Sequence, residues 1–160
     1  MPGVASPWTA SSAAISAKPD THERLTATTG LVATPEDSLH RALLALHKAV
    51  LAAERENLER VHGSLSSAAF LQIVSDPVRY GWLKPFSELI LAFEEDEDER
   101  APAEELRERT RDLLLPPSQK TPFGRRYLSL MQREPGLVLA HAELAKLLRR
   151  EEKEKRGKRN

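Results

Sequence analysis

The sequence predicts an all-α fold, a single-domain helical bundle of about five to six helices. Three observations lead there. Leucines recur in steps of three and four along two long segments, Leu39 to Val61 and Leu137 to Leu148. Helix-opening signals recur at Thr34-Pro35, Pro102 and Thr121-Pro122, where proline fits the first helical position. No segment alternates apolar and polar residues between turn signals, as a half-buried strand does.

The first helix is expected at Thr34-Pro35-Glu36-Asp37, where Thr34 caps free amides and two acids suit the positive helix end. Its apolar line Leu39, Leu43, Leu46, Val50 is joined by a second, Leu44, Leu51, Leu58, Val61, so a wide buried stripe is predicted, ending near His62 with Gly63 in a left-handed position. Ser66 or Ser67 starts a short helix bearing Phe70, Leu71, Ile73 and Val74, and Asp76-Pro77 ends it and caps the next turn. Pro85 heads a helix through Leu89, Ile90 and Phe93, and the acidic run Glu94 to Glu99 frays it into a loop because carboxylates repel at a helix C-terminus. Pro102 starts a helix that stops at Pro116-Pro117, Thr121-Pro122 starts another, and Glu134-Pro135-Gly136 starts the last. Residues 1–33 form an Ala/Ser/Thr-rich disordered extension, 34–150 the helical domain, and 151–160 a charged tail that dissolves into coil.

Composition removes whole classes of function. The 160 residues are 40% hydrophobic and 30% charged, one domain's worth of globular chain. Basic and acidic residues number 24 each, so no global field attracts nucleic acid or an anionic membrane, and nucleic acid is not an expected partner. The basic tail lacks interleaved aromatics that would stack on bases. Without cysteine there are no disulfides, thiolate metal sites or cysteine nucleophile. Apolar runs such as Ala42 to Leu46 fall far short of the roughly 20 residues that span a bilayer. The extension lacks a continuous apolar core, and Asp20 and Glu23 argue against a transit peptide.

Two residue sets are candidate sites. His40, Leu44, His47, Leu51 and Glu54 share one helical line, and His141 lies in the last helix's apolar stripe, so packing could gather His47 or His40, Glu54 and His141 into a core site for a transition metal or haem. Glu59-x-x-His62 adds half of a di-iron motif, without the second copy that such a site requires. Histidines on a bundle seam otherwise donate to a carbonyl or an acid, which would leave no cofactor. Tyr80, Trp82 and Phe86, in a turn dense in proline and aromatics, have two readings that do not exclude each other, a plug for one end of the core and a partner-binding or dimerising surface. The acidic run lacks the glycine and alternating ligands of a calcium loop. No G-x-S-x-G, H-E-x-x-H or phosphate-cradling glycine motif occurs, so an enzyme is not expected.

Leu39-His40-Arg41-Ala42-Leu43-Leu44 with His47-Lys48, then Val61-His62-Gly63, Asp76-Pro77 and Trp82 to Ile90, resemble a group of uncharacterised bacterial all-helical proteins over about residues 38–93. The resemblance implies a bacterial, cytoplasmic protein and carries no activity, ligand or catalytic residue. The expected function is a non-catalytic helical interaction or regulatory protein, binding a protein partner or itself as a homodimer, with a metal- or haem-binding bundle as the alternative.

Overall fold

Thr34 opens the first helix as its spacing predicts: its hydroxyl accepts from Asp37 N–H at 3.0 Å, and the Asp37 carboxylate accepts from Thr34 N–H at 2.9 Å. This reciprocal cap ties off two amides that lack intrahelical partners. The computed structural model describes residues 33–159, and every regular element among them is helical. The extension over residues 1–32 lies outside them.

The helices are α1 (Pro35–His62), α2 (Ser67–Val74), α3 (Pro77–Tyr80), α4 (Lys84–Glu94), α5 (Ala103–Leu114), α6 (Pro122–Met131) and α7 (Pro135–Lys158), with a 3₁₀ turn at Gly81–Leu83. Helix α1 is the spine and packs mainly along α7, with α4 and α6 flanking it. Its buried stripe is narrower than predicted. Leu39, Leu43, Leu46, Val50, Ala53 and Leu58 are buried, but Leu44 is 40% and Val61 76% exposed. The second line divides: Leu58 is buried and Leu51 packs partly against the core, whereas Leu44 and Val61 lie outside the seam that α7, α4 and α6 form on α1.

At the end of α1, Gly63 has φ +78°, as its position predicts, but its ψ of −175° is extended rather than helical. That combination is open to glycine at little cost and strained for other residues. Arg55 fastens the corner that follows, donating to the Leu65 carbonyl at 2.5 Å and to Glu59 at 2.9 Å while lying over the Phe70 ring.

The caps at Ser66, Asp76 and Thr121 follow the residues that announce them, each side chain accepting an amide of the first turn. In α6, Gly124 lets the first turn lie against the Ser118 backbone, where a Cβ would collide with the Ser118 carbonyl. The core above is aromatic: Phe123 stacks on Tyr127, and Phe86 meets Phe123 edge-on. Apolar contact between large rings supplies much of the burial at this end of the bundle.

The tail departs from expectation. Helix α7 continues to Lys158 instead of dissolving after Arg150. Its acids lie against basic residues of α5: Glu151 on Arg107 at 2.6 Å, Glu152 on Arg111 at 3.0 Å, with Lys155 returning to Glu104. Arg107 and Glu151 approach off the N–H axis, as an ion pair without a straight hydrogen bond. A charge-rich tail read in isolation looks solvated, whereas opposite charge on a neighbouring helix gives it a reason to remain helical.

Candidate functional site

The buried stripe of α1 carries one carboxylate among apolar side chains. Glu54, four residues beyond Val50 and four before Leu58, is 1% exposed. A buried carboxylate needs a partner, since desolvation without one is costly. Arg126 of α6 provides it as a two-pronged clamp, Nε to Oε1 at 2.7 Å and Nη2 to Oε2 at 2.9 Å. The planar guanidinium matches the carboxylate fork. The bond to Glu54 raises the Arg126 pKa further, and Arg126 is cationic at any working pH.

Tyr80 closes the floor beside this pair. Burial, and then the charge of Glu54, push its phenol above the usual range, so it remains a protonated donor. Around it a cleft of about 370 Å³ is lined by Glu54, Asn57, Arg60, Arg79, Arg126 and Arg133, among others. A second opening, of about 640 Å³, shares Arg79 and Arg126 and is lined further by Pro77, Val78, Trp82, Pro122 and Arg125. Val78 is 91% exposed there.

The residues proposed to gather a metal have separate partners. Glu54 has both oxygens on Arg126. His47 packs edge-on against Phe86, and burial lowers its pKa. His141 Nδ1 is 2.8 Å from the Tyr127 hydroxyl. Burial holds the Tyr127 phenol well above its ordinary value, while burial and then Arg149 lower His141. The neutral imidazole therefore accepts at Nδ1 from the tyrosine O–H. His40 stacks on Phe93, with Glu94 at 3.8 Å. Glu59 accepts from Arg55 and from Leu65 N–H, which, the amide first, keep its carboxyl below the usual range. Among the described residues no three His, Asp or Glu side chains gather within metal-holding reach. The shared helical line is real, but the partners of each imidazole lie on elements that the spacing does not reveal.

The aromatic set divides. Phe86 is fully buried and Tyr80 is 8% exposed, so both belong to the core. Trp82 is half-buried, tilted against Phe123, and only it lines the larger opening. The expected surface is thus reduced to Trp82, with Val78 beside it in the same opening.

The arginines went unnoticed in the sequence. An acid in the buried stripe of α1 was a usable signal, because such a group implies a cationic partner; that the partner lies 72 residues away could not be read from spacing. No described helix is long and apolar enough to cross a membrane. Comparison of the chain with protein-family models, curated proteins and solved structures finds no match.

Proposed function

We propose that this chain is a non-catalytic helical interaction protein whose contact surface is the larger opening between α3 and the start of α6. Its partner is an acidic protein segment that carries an apolar side chain. The observation that supports this reading is the near-complete exposure of Val78 beside half-buried Trp82, in a groove ringed by arginines. Pro77 and Pro122 give the rim a restricted backbone. Arg125 is steadied by the carbonyls of Gln119 at 3.4 Å and Lys120 at 3.1 Å, and it is in no ion pair among the described residues. An apolar anchor would enter against Val78 and Trp82, while flanking acids meet Arg79, Arg125 and Arg126, an arrangement that combines buried area with charge complementarity.

A peptide array tests this, with acidic peptides each carrying one Leu or Phe set against copies in which Lys replaces the acids. Binding is followed by Trp82 fluorescence in a Trp8→Phe background. The acidic series should bind, and Val78→Asp and Arg125→Glu should each weaken it by about tenfold or more. Equal binding of both series, or variants that bind like the parent, would refute the reading. A concentration-dependent dimer that Val78→Asp dissociates would assign the groove to a second copy and remove the acidic partner.

A further inference from the structure

Several arginines elsewhere among the described residues sit against acids, Arg55 on Glu59, Arg107 on Glu151, Arg109 on Glu105 and Arg111 on Glu152. With basic and acidic residues equal in number, that is the expected outcome. The smaller cleft gathers one sign of charge. Arg60, Arg79, Arg126 and Arg133 line it against one carboxylate, Glu54, a formal surplus of three positive charges. His62 lines it as well.

We propose that this cleft binds the phosphate group of a small molecule, a ligand class distinct from the acidic peptide assigned to the neighbouring groove. Glu54 does not fill the role of counter-charge, since both its oxygens are spent on Arg126. Arg79, on α3, and Arg133, just past α6, are exposed and form no ion pair among the described residues. Arg60 donates to Asn57 Oδ1 at 3.3 Å and has an exposed ion pair with Glu56 at 3.4 Å, one turn away on the same helix, a pairing of little strength that an incoming anion can displace. Like charges converging on one mouth repel, and an oxyanion removes that repulsion.

Phosphate suits the site better than a lone carboxylate for two reasons. Its double charge meets more of the surplus, and its tetrahedral oxygens can accept from several guanidinium forks arriving from different elements. Tyr80 and Asn57 also line the cleft, and their side chains carry neutral donors. A volume of about 370 Å³ suits a compact phosphorylated molecule and is too confined for a nucleic acid duplex.

Titration calorimetry of the full chain with inorganic phosphate and with pyrophosphate, at low and at moderate salt, tests this. Pyrophosphate should bind more tightly than phosphate, and added salt should weaken both. Arg79→Gln and Arg133→Gln should each weaken pyrophosphate by about tenfold or more, the scale of a lost hydrogen bond to a charged group. Arg149→Gln, outside the cleft, should leave it unchanged. Both cleft arginines are exposed, and an unchanged far-ultraviolet dichroism spectrum verifies that their variants fold. Three results would overturn the proposal: no binding at millimolar pyrophosphate, equal weakening by Arg149→Gln, or an oligonucleotide that binds more tightly and responds alike to all three substitutions. Val78→Asp should leave pyrophosphate binding intact, so loss of the peptide reading and loss of this one are told apart.

Discussion

Replacing Arg126 by methionine removes the charge that holds Glu54 in the core while retaining most of the side chain's apolar length. Breaking a buried pair from one side costs about 3–5 kcal/mol, because it strands a desolvated charge. Glu54 is 1% exposed but the Arg126 side chain is 43% exposed, so water reaches one face of the pair. That places the expected loss at the lower end, about 3 kcal/mol. With a urea slope of about 1.5 kcal/mol per molar, the unfolding midpoint should fall by about 2 M. The double variant Glu54→Leu/Arg126→Met removes both charges and fills the space with apolar atoms. It should recover to within about 1 kcal/mol of the parent, since desolvation offsets most of what such a pair contributes. The double-mutant cycle should then show strong coupling. If Arg126→Met unfolds within about 1 kcal/mol of the parent, Glu54 is not the desolvated carboxylate that the geometry implies, and the reasoning about the cleft floor fails with it.

Two further outcomes follow from the packing. Burial lowers the pKa of both His47 and His141, so the unfolded chain takes up protons at higher pH than the folded one does; stability should be level above about pH 6.5 and decline as pH falls below it. Urea midpoints at several pH values should fall less steeply for His141→Gln than for the parent, and parallel curves would remove the attribution. Gly124→Ala should cost about 1–3 kcal/mol, since its Cβ meets the Ser118 backbone rather than a side chain that can swing away. Gly157→Ala meets nothing within 4 Å inside a helix and should be neutral or slightly stabilising, so equal urea midpoints for the two variants would contradict the proposed contact.

Local chemistry carried the helices. Thr34, Ser66, Asp76 and Thr121 each cap the helix they precede, and Pro77, Pro122 and Pro135 stand at helix starts, because these effects act within one turn and need no knowledge of the rest of the chain. The two departures share a cause. Val61 and Leu44 continue the α1 cadence yet remain exposed, and Glu151 and Glu152 lie in a tail of solvated composition yet belong to α7. Whether a periodic leucine is covered, or a charged turn supported, depends on which face the neighbouring helix reaches. That is a tertiary fact absent from any window of sequence.

The site follows the same logic with sharper consequences. Histidine and glutamate on one helical line suggested a shared ligand, but coplanarity on α1 says nothing about the opposing surface. Phe86 of α4 takes the side of His47, while Arg126 and Tyr127, neighbours on α6, take Glu54 of α1 and His141 of α7 separately. A buried acid is nevertheless the more informative residue of the three. An imidazole on a seam can be satisfied by a hydroxyl or by ring packing, whereas a carboxylate denied water requires a fixed cation nearby. Once Arg126 is drawn in to meet that need, Arg79 of α3 and Arg133, just past α6, come to line the same cleft as the buried acid.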